Sequence, residues 1–118
     1  MNKVAVVILA DDESHDNLGR VVNALELVKE LKDNGDDVRV VFDGGGTRWA
    51  AKLVDKEHDI HPLLKAVEDK IDGACRFCSK AFGVFEEVKE AGIPLLDEYD
   101  QHPSLRKYIQ EGYQLLTF

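Results

Sequence analysis

The sequence predicts an α/β fold: a three-layer α/β/α sandwich of flavodoxin-like type, with a five-stranded, mainly parallel sheet as its middle layer. Three observations predict it. The continuous run of β-branched and aliphatic residues at 4–9 is typical of a strand buried on both faces. From residue 16 the apolar spacing changes to three and four residues, the period of an amphipathic helix. A second apolar run at 38–42 completes a β-α-β unit, from which parallel sheets are built.

The first helix is predicted over residues 16–34 because its apolar positions share one stripe, and Gly35 follows where a glycine commonly ends a helix. That stripe consists of Leu18, Val21, Val22, Leu25, Val28 and Leu31. After the second strand, the glycine-rich segment 43–47 marks a turn, and Thr47 is expected to cap a short helix that carries Trp49.

The second half of the chain continues the alternation of helix and strand. Residues 55–59 are polar and predict a loop, and a helix follows from His61, with Pro62 in its first turn. A third strand at 71–74 is placed by its context, since an acidic residue and a glycine interrupt it. One helix is predicted from residue 76 or 77 to residue 90, where a glycine follows shortly after.

The last elements are short. The long helix before them is expected to turn four side chains inward: Ala81, Val84, Phe85 and Val88. A strand at 93–96, a helix at 102–111 and a strand at 113–118 complete the prediction. Ligands of such sheets bind beyond the carboxyl ends of the strands, so the loops that follow the strands are the places to look for chemistry.

Composition limits the classes of function. The chain has 118 residues, 44% hydrophobic and 32% charged, which predicts one domain over residues 1–118 with one modest core. A formal net charge of −8 repels phosphate backbones and anionic lipid, so we expect neither nucleic-acid nor membrane binding. The longest apolar run, 4–10, is far shorter than the roughly 20 residues that span a bilayer, and we expect a cytoplasmic protein.

Cys75 and Cys78 form a Cys-x-x-Cys pair at the predicted turn from the third strand into its helix. Unpaired amides at the start of a helix favour an anion, so we predict a lowered pKa for the Cys75 thiol, with the charge of Arg76 nearby. A spacing of three places the two sulfurs within one turn, close enough for a reversible disulfide. The pair therefore predicts thiol chemistry, and the alternative is that both cysteines only pack as small apolar residues.

Other strand-end loops carry further candidates. His15, in the acidic loop after the first strand, is a candidate proton donor to a thiol. The glycine loop predicts backbone amides that bind an anion, or a plain turn, and it matches neither a Walker loop nor a dinucleotide fingerprint. Arg48 and Arg106 lie near strand ends and are candidates for holding an anionic group. The substrate-binding candidates are Gly44, Gly45, Gly46, Arg48 and Arg76.

The sequence contains a possible set of zinc ligands. His58 and His61, together with the two cysteines, supply four residues of the right type. The two pairs lie on different predicted elements, however, and His61 is better explained as the start of a helix. We therefore expect neither a metal nor a cofactor.

The order of these features resembles the DsrE/DsrF-like (DsrEFH) family, which includes sulfur-relay subunits of tRNA thiolation and of dissimilatory sulfur oxidation. The similar segments are 4–9, the helix after Asp16, 38–46, 73–83, 90–94 and 112–118. In that family a cysteine lies where the third strand meets its helix, with a glycine eight positions later, and Cys75 and Gly83 hold those places.

The resemblance implies that Cys75 carries sulfur as a persulfide. The second thiol, Cys78, departs from the relay subunits and would be able to resolve that persulfide into a disulfide. The resemblance also implies a homo-oligomer, often a trimer or hexamer, with Trp49 or Phe82 as candidate contacts, and a sulfur donor or acceptor protein as a further partner.

Three other functions stay open at this point. The first is a small-molecule or anion-binding module in which the glycine loop and Arg48 form the pocket. The second is a thiol-redox protein that uses the Cys75–Cys78 pair. The third is an oligomeric scaffold that recruits a partner through the strand-end surface.

Overall fold

The computed structural model describes residues 1–118 and contains a five-stranded sheet in the order β4-β3-β2-β1-β5. The strands are β1 (Lys3–Ile8), β2 (Asp37–Phe42), β3 (Ile71–Cys75), β4 (Leu95–Leu96) and β5 (Gln114–Thr117). All neighbouring strands are parallel. In the centre of the sheet Val6 lies opposite both Val40 of β2 and Leu116 of β5.

Helices cover both faces of the sheet, although unequally. They are α1 (His15–Asp33), α2 (Thr47–Ala50), α3 (His61–Ala66), α4 (Arg76–Ala81), α5 (Phe85–Glu90) and α6 (Leu105–Gln110). On one face, side chains of the strands and of α1, α2, α3 and α5 contribute to a core of 19 buried residues. On the other face Tyr108 of α6 packs against Ala5 and Val41 in a core of 3 buried residues. The predicted three-layer α/β/α sandwich is confirmed.

The helix predicted from residue 76 to residue 90 is two helices, because Gly83 interrupts it with a φ of 73°. That left-handed backbone cannot continue a right-handed helix, and glycine adopts it without a steric cost. The break changes which side chains face inward. Val88 is buried as expected, whereas Ala81 is exposed and its inward placement is wrong.

The turn after β2 also differs from its prediction. Gly44–Gly46 already forms a 3₁₀ turn, so the helical segment begins before Thr47 and another residue caps it. The Asp43 carboxylate accepts the Gly44 N–H at 2.8 Å, and the Thr47 hydroxyl donates to the Gly44 carbonyl at 2.9 Å. The segment therefore turns tightly against the end of β1, and Asp43 is held at the carboxyl edge of the sheet.

None of the helices combines the length and the apolar character that a bilayer crossing requires.

Candidate functional site

Four side chains from three separate segments meet at the carboxyl edge of the sheet. One follows β2, two lie at the junction of β3 and α4, and one lies in the loop between β4 and α6. Their sulfur, ring-nitrogen and carboxylate-oxygen atoms all lie within 4.8 Å of one another. We call this group the thiol cluster: Asp43, Cys75, Cys78 and His102. Neither cysteine is in a disulfide.

Cys75 is the best-connected member of the thiol cluster. It ends β3 and caps α4, where its Sγ accepts the Cys78 N–H at 3.3 Å. The Nδ1 atom of His102 lies 3.2 Å from the same sulfur, and the Gln101 carbonyl oxygen lies 3.9 Å from it. Cys75 is completely buried, so these polar contacts replace water around the sulfur.

A strained turn holds His102 against that sulfur. The backbone groups of Tyr99 and His102 exchange hydrogen bonds at 2.9 and 2.7 Å across the turn. Its central residues, Asp100 and Gln101, have φ values of 49° and 67°, a left-handed conformation that costs non-glycine residues about 1 kcal/mol each. The Phe77 N–H donates to the Gln101 carbonyl at 3.0 Å, which fastens the turn to α4.

Burial raises the pKa of the Cys75 thiol to about 12, although the Cys78 N–H bond acts in the opposite direction. The expectation of a lowered pKa is therefore wrong. The sequence pattern correctly places the thiol at the start of a helix. It does not show that this position is closed to solvent, and burial there disfavours the thiolate. Burial also raises the pKa of Cys78, with the Gly44 amide opposing and the Asp43 charge adding to the rise. Both changes favour the thiol form over the thiolate.

The histidine that reaches a sulfur is His102, and not His15, the predicted proton donor. His15 is exposed at the first residue of α1 and makes no hydrogen bond to either cysteine. His102 was assigned only to the start of the last helix, which instead begins at Leu105. One signal pointed to it, since it follows β4 and so lies at the carboxyl edge of a parallel sheet.

The glycines after β2 fit closely against the neighbouring strand. A Cβ on Gly46 would lie 1.8 Å from the Ile8 carbonyl oxygen, and one on Gly45 would lie 2.7 Å from the Asp11 Cβ. Both glycines are buried, so close packing requires them. Gly44 differs, because it has a φ of 52° and its amide lies beside Cys78. The Gly44 amide is therefore the one that meets side chains of the thiol cluster, whereas the Gly46 N–H donates to the Asp43 backbone carbonyl at 2.8 Å.

The candidate arginines lie outside the thiol cluster. The Arg48 guanidinium pairs with Asp12 at 2.5 Å and, with Lys52, lines a separate cleft of about 340 Å³. Arg76 extends over the Phe85 ring, with 5.6 Å between its Cζ and the ring centroid. Arg106 is exposed and lines another cleft beside α6. Neither cysteine lines any of these clefts.

The histidine pair considered as zinc ligands also lies apart from the cysteines. His58 Nδ1 accepts the Ile60 N–H at 3.1 Å, and its ring meets the edge of Trp49 at 6.0 Å. His61 begins α3. Trp49 itself is a core residue, 2% exposed, whose ring N–H donates to the Asp11 carbonyl at 2.9 Å.

Comparison with known proteins gives a consistent assignment. The model of the DsrE/DsrF-like family matches residues 3–118. An uncharacterized protein from Methanocaldococcus jannaschii is 30% identical over 115 residues, covering 97% of this chain and 93% of that protein. A conserved protein of unknown function from Bacteroides thetaiotaomicron has a similar structure, with a TM-score of 0.64, 18% identity and coverage of 97% and 94% of the two chains. At that identity the likeness shows the fold alone.

Proposed function

Because the chain belongs to the DsrE/DsrF-like family, we propose that it is a sulfur carrier that holds sulfane sulfur as a persulfide on Cys75. One contact carries the proposal: the 3.2 Å approach of His102 Nδ1 to the Cys75 sulfur. A thiol with a pKa of about 12 needs a base to react at neutral pH, since only about one part in 10⁵ is ionised. His102 is the base within reach.

The loading step is a thiol exchange with a persulfide donor, R–S–SH. His102 Nδ1 takes the thiol proton of Cys75 as the sulfur attacks the outer sulfur of the donor, which requires the tautomer with hydrogen on Nε2. A new S–S bond forms at Cys75 and the S–S bond of the donor breaks. The leaving thiolate takes the proton from His102, so the products are R–SH and the Cys75 persulfide, with no net oxidation.

Cys78 provides a second route for the loaded sulfur. Its thiolate would attack the inner sulfur of the Cys75 persulfide, expel hydrosulfide and form a disulfide with Cys75. A dithiol reductant would then restore both thiols. The two sulfurs lie within 4.8 Å, whereas a disulfide requires about 2 Å, so α4 would have to adjust slightly. Without this attack the persulfide is available to an acceptor protein.

Access to Cys75 determines how the carrier would be loaded. Cys75 is fully buried, whereas Cys78 and His102 are half-buried and border solvent. In our proposal the donor approaches from their side, and the Tyr99–His102 turn moves outward to make room. The left-handed backbone at Asp100 and Gln101 supports this step, because strain in the closed turn lowers the cost of opening it.

We also propose that the carrier acts as a homo-oligomer and exchanges sulfur with a partner protein. Phe77 and Phe82, both on or beside α4, are 49% and 38% exposed. Exposed aromatic side chains beside a reactive group are suited to contacts between proteins. Trp49 does not take part, because it lies in the core.

The rival functions are less well supported by the same geometry. Arg48 is neutralised by Asp12, and the two buried glycines leave no open cradle, so an anion-binding pocket at the glycine loop is disfavoured. A purely redox role is favoured by the proximity of the two sulfurs, and mass spectrometry separates it from sulfur transfer. Oxidation removes about 2 Da, whereas a persulfide adds about 32 Da.

The test is to incubate the reduced protein with an inorganic polysulfide and measure its intact mass. We expect an adduct of about 32 Da on the wild type and on Cys78→Ser, and none on Cys75→Ser. Cys78→Ser is the matched control, since it removes a thiol from the same cluster. An adduct that persists in Cys75→Ser, or a Cys78→Ser protein that gains no mass, contradicts the proposal; a wild type that loses about 2 Da while Cys78→Ser carries the adduct identifies the route through Cys78.

A further inference from the structure

The thiol cluster has the ligand set of a metal site, which neither the family match nor the proposed sulfur chemistry assigns. Two thiols, one imidazole nitrogen and one carboxylate are the protein ligands that zinc binds, and together they number the four that a closed tetrahedral site requires. The two sulfurs favour zinc over magnesium or calcium, which prefer sets made of oxygen.

The spacing of the four ligand atoms fits one ion. Zinc bonds of about 2.0 to 2.3 Å place the ligand atoms of a tetrahedron about 3.3 to 3.8 Å apart. Within the cluster no separation exceeds 4.8 Å, and the contact between Cys75 Sγ and His102 Nδ1 is 3.2 Å. Side-chain movements of less than about 1 Å would therefore bring all four atoms to an ion.

Groups behind the ligands already orient them. The Asp43 carboxylate accepts the Gly44 N–H at 2.8 Å through one oxygen, which leaves the other for an ion. The Cys75 sulfur accepts the Cys78 N–H, a contact that stabilises a metal-bound thiolate. His102 is fixed by the turn that begins at Tyr99, and its ring lies against Phe77 at 4.9 Å between centroids.

The charge of the cluster also favours a cation. Its carboxylate forms no ion pair, in contrast to the carboxylate of Asp12 nearby along the same edge. No lysine or arginine lies in the group, and metal binding would convert the two thiols into thiolates with release of their protons. A dication would neutralise the three negative charges more completely than any group of the protein does.

We propose that the thiol cluster binds one Zn²⁺ ion per chain. The bound ion would join the end of β2, the start of α4 and the Tyr99–His102 turn, so the zinc form is closed. Since both sulfurs are then ligands, that form does not accept sulfane sulfur. The inference does not depend on the proposed carrier function, although both use the Cys75 sulfur.

The experiment titrates the reduced, metal-free protein with Co²⁺ and then displaces it with Zn²⁺. We expect one ion per chain, a thiolate-to-cobalt charge-transfer band, and a rise of about 10 °C in the midpoint of thermal unfolding at saturating zinc. Cys75→Ser and Cys78→Ser should each weaken the band, since one thiolate remains, and Asp43→Asn and His102→Asn should weaken binding at least about tenfold. His58→Asn, outside the cluster, is the matched control and should bind as the wild type does.

Circular dichroism identifies variants that do not fold. If a cysteine variant unfolds, the half-buried Asp43→Asn and His102→Asn decide the question alone. Binding that is unchanged in the cluster variants, or the absence of the charge-transfer band from the wild type, overturns the proposal.

Sulfur loading of metal-free and zinc-saturated protein separates the two hypotheses. A sulfur adduct without any metal binding overturns the zinc site and leaves the carrier proposal. Tight zinc binding without an adduct on the metal-free protein overturns the carrier proposal and leaves the zinc site. If both hold, zinc saturation abolishes the adduct.

Discussion

Ionisable side chains gather at both edges of the sheet, and the two groups differ in whether their members satisfy one another. At the amino edge the Tyr108 hydroxyl donates to Asp72 at 2.5 Å, and the Tyr113 hydroxyl donates to Asp37 at 2.6 Å. Arg39 contacts both carboxylates, at 3.0 and 3.3 Å. We call these five residues the tyrosine network. At the carboxyl edge the thiol cluster contains no cation at all.

Displaced pKa values occur in both groups, so they do not by themselves identify a functional site. In the tyrosine network the hydrogen bond from Tyr113 lowers the pKa of Asp37, and burial together with the Asp72 charge raises that of Tyr108. Although burial is the largest cause at Tyr108, each of these groups also has a complementary partner in direct contact. In the thiol cluster burial is again the largest cause; the Cys78 amide opposes it at Cys75, and the Cys75 side chain and the Gly44 amide oppose it at Cys78. The comparison teaches that shifted pKa values do not mark a site for a ligand or a reaction. A group of ionisable side chains without a complementary partner in the protein does.

The largest effect that separates the two edges is expected for His102→Asn. Because the imidazole is the base within reach of Cys75, its loss should slow alkylation of that thiol at neutral pH by about 100-fold. The rate is measured on metal-free Cys78→Ser protein, so that only one thiol reacts.

His15→Asn is the matched control for that experiment, since it removes an exposed imidazole from the start of α1. Its rate should equal that of the parent protein. Equal rates for His102→Asn and His15→Asn would show that the short sulfur–nitrogen contact has no role in reactivity. A slow His15→Asn would instead restore the assignment made from the acidic loop.

A smaller effect, on stability alone, is expected at the tyrosine network. Tyr108→Phe removes a hydrogen bond between a buried hydroxyl and a carboxylate, which should lower the free energy of unfolding by about 2 kcal/mol. Urea unfolding measures the loss, and Tyr113→Phe, whose ring is more exposed, should lose less. Sulfur loading by Tyr108→Phe should match the wild type, and a variant that folds but fails to load would contradict the division between the two edges.

The sequence predicted the sheet and the position of Cys75, because both follow from local patterns. Buried parallel strands form uninterrupted apolar runs, and a cysteine between a weak strand and a helix is visible without coordinates. The thiol cluster was not predictable in the same way. Its members Asp43 and His102 are 59 positions apart in number, and only the strand order brings their loops together. The burial that raises the thiol pKa also depends on a turn, Tyr99–His102, that no local signal marked.

The smallest expected effect is a loss of folding stability at alkaline pH. The two edges of the sheet differ in the pH at which that loss begins. The pKa of Cys75 is about 12 in the folded protein, above its ordinary value of 9.0. Once the pH exceeds 9.0, the native state therefore keeps a proton that the unfolded chain loses. Stability therefore falls as pH rises, by up to about 1.4 kcal/mol between about pH 8 and about pH 10 for this one group. Tyr108 acts in the same direction, but only above its ordinary pKa of 10.0.

Urea midpoints measured with reductant and a chelator should thus decline less steeply with pH for Cys75→Ala than for the wild type. Part of the decline remains, because the pKa of Cys78 is also raised. Tyr108→Phe should follow the wild-type slope below about pH 10 and flatten only beyond it. If Cys75→Ala and the wild type decline in parallel, the thiol is already ionised in the folded protein, and His102 holds its proton at rest instead of accepting it during the reaction.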